Sequence, residues 1–438
     1  AIVSGFNNAG TAIASGFNGF VDTMNQAGQT AVQLAAELAG AFEGAVTGLP
    51  LQAVARRSPG AGITAMQMLT AQRRGVLVPV TKQQAERYKS ARALLRADRG
   101  GLVFQPQVGL HADVVEIDFV SMYPSIIARF NVSPETVGQG VGPTAVTPEL
   151  GLPIDQSQPG LLPETLTPLL QKRLAIKRQL ARLTRRDCRR PALEARAAAL
   201  KWLLVVAFGY AGYKRARFGR IETHEAITAY SREALLRAKE TAEALGYQVL
   251  HLYVDGLWVQ RRGVKTAGAV QPLLDAIEAA TGLPIALEGF YRWIAFLPSR
   301  QDARVPVPNR YFGVFEDGVV KARGIELRRH DTPPFVAGAQ TAVLAYLARR
   351  AAGADTAVWR DCRTDLLELV GGRLQALRRG QVDPADLLLA QRLSRPLAEY
   401  TTPSPAARAA AQLQAAGKER YPGQRIRFVL TRGEPDVY

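Results

Sequence analysis

Cysteine is scarce in this chain: Cys188 and Cys362 are the only two, far apart in sequence. That excludes a disulfide framework and a cysteine-rich metal site, and it fits a reducing compartment. The four histidines are scattered, which argues against a histidine-based metal centre. No apolar run reaches the ~18 residues that a membrane-spanning helix needs. The N-terminus has no basic stretch ahead of an apolar core, so no secretory signal is expected. Lys and Arg are absent from residues 1–50, which carry three acids, Asp22, Glu37 and Glu43. The net charge is nevertheless +17, so the other 388 residues carry +20. A basic body of this size points to a polyanion, nucleic acid first. A solvated basic surface is the bland alternative, and the clustering of the arginines argues against it.

The chain has 438 residues, 47% hydrophobic and 21% charged, ample for a large core. Its length corresponds to about two to four domains or subdomains. Residues 1–32 are rich in Gly, Ala, Asn and Thr and read as a flexible lead-in. Helices are expected over 33–46, 83–96, 165–186, 191–208, 225–245 and 266–281. The pair 165–186 and 191–208 reads as a helical hairpin closed by the basic turn 185-RRDCRR-190. Strands are expected over 113–120, 247–260, 283–297 and 310–328, with another at 424–430. The last hundred residues are otherwise mostly helical and rich in arginine.

The segment 251-HLYVDGLWVQ-260 reads as a hairpin turning at Asp255–Gly256, the pair that most favours a two-residue turn. A lone Asp there is ordinary turn chemistry. In 116-EIDFVSMYPSII-127, Glu116 and Asp118 share one face of a strand. An Asp at a strand end, followed by a turn with an aromatic ring and a proline, suits a divalent cation beside a nucleotide. The backbone carbonyl of Phe119 can add a ligand, because Mg²⁺ takes oxygen donors. On the first hairpin helix, Arg173 and Lys177 are four apart and share a face. Lys201 stands on the second, among apolar residues. Three cations on two facing helices suit a triphosphate; an ordinary basic helix surface is the alternative.

These residues carry a resemblance. The stretch 118-DFVSMYPSII-127 closely resembles motif A of the family B DNA polymerases. The stretch 201-KWLLVVAFG-209 lies over motif B and 253-YVDGLW-258 over motif C. Residues 310–335 resemble the palm-to-thumb segment and 47–79 the stretch leading into the palm. The resemblance runs from about residue 35 to 438 in the right order. It implies an α+β right-hand polymerase fold: a palm with an antiparallel sheet, helical-hairpin fingers and a mostly helical thumb. The implied division is 1–32 as a low-complexity segment, 33–110 as a pre-palm connection, 111–164 as palm, 165–212 as fingers, 213–312 as palm and 313–438 as thumb.

The resemblance further implies a DNA-directed DNA polymerase using dNTPs, a primed template and two metal ions, Mg²⁺ or Mn²⁺. Asp118 and Asp255 would be catalytic. Asp118, Asp255, Glu116, Glu288 and the Phe119 carbonyl would hold metal. Phe119, Ser121, Met122, Tyr123, Arg173, Lys177 and Lys201 would bind the nucleotide, with Tyr123 as the gate against a ribose 2′-hydroxyl. Arg310, Tyr311, Arg323, Arg328 and Arg329 would grip DNA. A sliding clamp or repair proteins are the expected partners, in the cytoplasm at the nucleoid, with no membrane.

The departures matter as much. Leu257 stands where the family has its second motif C aspartate, and Trp258 replaces the following serine. Val205, Val206 and Phe208 replace Asn, Ser and Tyr of motif B. Pro308 and Asn309 replace a lysine pair. This pattern resembles a divergent branch of the family, one suspected of inactivation and also implicated in translesion synthesis. The expected enzyme is slow and of low fidelity, without proofreading. The competing reading is a catalytically silent DNA-binding or scaffold subunit.

Overall fold

The computed structural model describes residues 42–437, apart from 79, 81–87, 98, 139–141, 185–186, 352, 354–355 and 432–433. Residues 1–32, most of the helix expected over 33–46, part of that over 83–96 and the arginines that open the basic turn at 185 lie outside the described residues.

Two helices, α1 (Leu51–Arg56) and α2 (Pro59–Arg73), precede a short α3 (Ala91–Ala97). The centre is a seven-stranded antiparallel sheet in the order β1-β5-β6-β2-β7-β8-β9. Its strands are β1 (Val103–Phe104), β2 (Gly109–Phe119), β5 (Gln248–Tyr253), β6 (Gly256–Gln260), β7 (Ile285–Pro298), β8 (Pro306–Phe315) and β9 (Val320–Arg323). After β2 come α4 (Met122–Phe130), the small ribbon β3 (Thr144–Val146) and β4 (Pro153–Asp155), and the hairpin α5 (Leu161–Arg182) and α6 (Arg190–Ala211). Then α7 (Ile221–Ala244) leads into β5, and α8 (Ala267–Thr281) joins β6 to β7.

The alternation of β2 sorts its side chains between two layers. Val115, Ile117 and Phe119 enter the main core with α4, α7 and α8. Val114 enters a second cluster with Leu250, Trp258, Tyr291, Phe296 and Tyr311. Glu116 and Asp118 therefore stand on the face away from the main core. The segment expected to be one strand over 310–328 is two strands and a 3-10 turn, broken at Asp317–Gly318, where Gly318 has φ 84°.

Beyond β9, α9 (Pro334–Arg350) and α10 (Thr356–Arg378) cover the far end of β7 and β8 through Leu347, Ala351 and Cys362 against Trp293 and Val314. A separate small sheet, β10 (Leu389–Arg392), β11 (Arg425–Thr431) and β12 (Glu434–Val437), packs on α11 (Pro405–Ala415) around Ile426 and Phe428. The molecule is thus a mixed α and β fold built on an antiparallel sheet. Among the described residues no helix is long and apolar enough to cross a membrane.

Candidate nucleotide and metal site

The hairpin tip differs from the sequence expectation by one residue. Tyr253 pairs with Gly256, so Val254 and Asp255 form the turn and Gly256 opens β6. A one-residue slip sends every side chain to the other face. Here the slip puts Leu257 and Val259, both fully buried, into the main core. Leu257 lies opposite Ile117 rather than opposite Asp118, whose partner is Gly256. Leu257 thus turns into the core rather than toward the carboxylates, and its pull toward the core fixes the register. The cost falls on Val254, a β-branched residue held at φ 61°. That conformation normally belongs to glycine.

The tip is tied to the end of β2: the Phe119 N–H donates to the Asp255 carbonyl at 2.9 Å. Asp118 and Asp255 are thereby neighbours. Burial, and then the charges of Asp255, Glu288 and Glu116, push the Asp118 carboxyl up to about 8, while Lys321 pulls it down. Burial also raises Asp255; Lys201 opposes that rise, and Glu288 and Glu116 add to it. Glu288 sits in a bulge. Glu116 pairs with Gly289 of β7 but Ile117 pairs with Leu287, which leaves Glu288 as the extra residue. A bulge re-aims a side chain beside a site.

Glu116 has a different occupation. One carboxylate oxygen accepts from Lys321 Nζ at 2.6 Å and the other from the Tyr291 hydroxyl at 2.7 Å. Both oxygens of this buried group are engaged within the protein, one as counter-ion to Lys321 and the other as acceptor for Tyr291. Sequence reasoning passed over Lys321 and Tyr291. Their only signal was that a buried Glu needs partners.

The cations come from the hairpin. Arg173 is buried and donates to the Ser121 hydroxyl at 2.5 Å; its Nε has no hydrogen-bond partner. Burial lowers its pKa, and the charges of Asp118 and Glu288 oppose that shift. Lys177 opens to solvent at the side chain, yet loss of water and the charges of Arg173 and Lys201 push it down. Arg173, Lys177 and Lys201 therefore share one field, facing Asp118, Asp255 and Glu288. Ser121, at φ 51°, turns the chain sharply from β2 into α4. Met122 is buried under that turn. Tyr123 stacks on Phe208 of α6, with ring centroids 4.1 Å apart.

The carboxylate and carbonyl donor set suits a hard divalent cation, and the mutual repulsion at Asp118 is what such a cation would relieve. Among the described residues no three Asp, Glu, His or Cys side chains already close into a metal cluster. The fit is thus to an ion held by two aspartates, with its remaining ligands from backbone, water or phosphate.

The expected DNA contacts divide. Tyr311 is 1% exposed and packs edge-on against Trp258 and Phe296, so it is a core residue and not a DNA contact. Arg310 donates to the Pro298 carbonyl. Arg329 is paired with Asp331 at 2.8 Å on the surface. Arg323 and Arg328 lie close enough that the first depresses the second, after burial.

Residues 50–255 match the profile of DNA polymerase family B. A DNA polymerase 2 from Aeropyrum pernix is 30% identical over 399 residues, covering 90% of this chain and 46% of that protein. This chain belongs to DNA polymerase family B. A DNA polymerase 2 from Saccharolobus solfataricus is 32% identical over 276 residues, 63% of this chain and 40% of that one. The fold agrees: a family B DNA polymerase from Pyrobaculum calidifontis superposes with a TM-score of 0.63 at 26% identity, over 92% of this chain and 50% of that structure. The family B chain described here spans about half the length of the relatives it matches.

Proposed function

We propose that this protein is a template-directed DNA polymerase, moving nucleotides from dNTPs to a primer 3′-hydroxyl. One observation carries the reading: an acidic set on the sheet, Asp118, Asp255 and Glu288, shares a field with a cationic set on the hairpin, Arg173, Lys177 and Lys201. The subdomains follow: the central sheet as palm, α5 and α6 as fingers, residues 313–438 as thumb. Asp118 and Asp255 would hold the divalent ions, Mg²⁺ or Mn²⁺, with the Phe119 carbonyl and Glu288 beside them. Bound there, the ions would supply activation of the 3′-hydroxyl and charge for the leaving pyrophosphate.

The chain's own residues do the rest. Arg173 offers a donor with no protein partner, and Lys177 and Lys201 add charge along the triphosphate. Ser121 anchors Arg173, and Met122 supports the turn. Tyr123, held by its stacking on Phe208, would be the gate against a ribose 2′-hydroxyl. Val205 is 52% exposed on the same helix as Lys201 and would make the wall near the new base pair apolar. An apolar, looser wall supports low fidelity and tolerance of damaged bases, hence a slow enzyme of repair or translesion synthesis. Arg323 and Arg328 would grip duplex phosphates, with a clamp or repair factors as partners.

The second reading, a silent DNA-binding subunit, is favoured by Leu257, which leaves motif C one carboxylate. Primer extension with Mg²⁺ and then Mn²⁺ separates the two. Extension that Asp118→Ala abolishes supports the enzyme; primed DNA bound without extension in either metal supports the silent subunit.

A further inference from the structure

Tyr123 does not stand on Phe208 alone. The far face of Phe208 carries a third ring, His224, with centroids 4.2 Å apart and planes 21° from parallel. Tyr123, Phe208 and His224 form one column from α4 through the end of α6 to the start of α7. The His224 Nδ1 lies 3.4 Å from the Phe208 carbonyl, which can only accept, so Nδ1–H donates. That carbonyl is one of the last four of α6, without an intrahelical partner. Gly212 makes room: a Cβ there would come within 2.7 Å of the His224 Cβ.

We infer that His224 is a positioning residue for sugar selection, acting through Phe208 on Tyr123; this rests on the polymerase reading. Phe208 has no hydroxyl to fix it from its own edge, so its plane is set by the rings on its two faces. Stacked rings resist tilting where an aliphatic side chain of similar size does not. Removing the outer ring frees Phe208 to tilt, and Tyr123 follows. The consequence falls on the 2′ edge of the sugar more than on the triphosphate, which the hairpin cations hold.

The test uses His224→Leu and His224→Phe in the full chain. Leu fills similar space without a ring face or N–H; Phe restores the ring face. Incorporation of dATP and of ATP opposite a template thymine gives the selectivity ratio, and equilibrium binding of both nucleotides gives a ratio independent of catalysis. His224→Leu should lower selectivity roughly two- to tenfold, the size of one aromatic pair. His224→Phe should restore most of it. Unchanged selectivity in His224→Leu overturns the inference. Equal losses for both nucleotides, or a loss that His224→Phe does not restore, also overturn it, because they mark a merely structural residue. If the wild type binds both nucleotides but extends no primer, the polymerase reading fails, and the binding ratio alone decides for or against His224. If it binds neither nucleotide, both fall.

Discussion

At the scale of the residue, Asp118 shows what this site costs the fold. Its carboxyl is raised from 3.8 to about 8, burial first and the neighbouring acids second. A raised acid favours the protonated native state, so without metal the protein loses stability as pH climbs from ~4 to ~8, and no more beyond. Asp118→Asn removes that loss. In denaturant melts without divalent ions, this variant should exceed the wild type by on the order of 1–3 kcal/mol at pH 9, with the gain shrinking toward pH 4. A variant no more stable than the wild type at pH 9 would refute the placement. Val254 is the second costly residue. Val254→Gly relieves its φ of 61° and should stabilise by up to ~1 kcal/mol, net of lost packing.

At the scale of the element, the sheet is held across its open face by ion pairs and rings. Lys321 on β9 and Tyr291 on β7 both bond Glu116 on β2. Lys321→Met leaves a buried carboxylate without its cation and should cost about 3–5 kcal/mol in urea unfolding. Adding Glu116→Gln should recover a clear part of that loss; an equally damaged double variant would show that the pair is not the cause. His251 on β5 gives a pH signature of opposite sense to Asp118. It is fully buried, its Nδ1–H donates to the Phe104 carbonyl at 2.7 Å, and its Nε2 accepts from the Asn309 N–H at 3.2 Å. Burial lowers its pKa to about 4. The stability that neutral His251 confers is complete above ~6.5 and lost as pH falls toward ~4, up to about 3 kcal/mol. A His251→Phe variant should show a flatter acid limb in the same melts.

The same scale shows what could be read from sequence. The strand ending at Asp118, the helical hairpin and its three cations were legible because spacing sets faces and the motifs are local. The register of the 251–260 hairpin was not. Asp255–Gly256 is the better local turn, but burying Leu257 and Val259 outweighs it, and that is a tertiary effect. The bulge at Glu288 was hidden for the same kind of reason: it exists only relative to β2. The burial of Tyr311 depends on Trp258, which lies far away in sequence, as well as on Phe296, its partner on the neighbouring strand.

At the scale of the whole molecule, charge and fold act together. A chain of net charge +17 should bind primed DNA with little sequence preference and a steep salt dependence. Arg323→Gln and Arg328→Gln should each shallow that salt slope by about one, uniformly across sequences, whereas Arg329→Gln should change it less. The central claim remains that a reduced carboxylate set still holds a divalent ion. Its most direct measurement is a Mn²⁺ titration followed by the ion's electron-spin signal, without nucleotide, on the wild type and on the Asp118→Ala, Asp255→Ala double variant. The wild type should show a site that the double variant loses while its thermal stability is kept or raised. Unchanged Mn²⁺ binding in the double variant would contradict it.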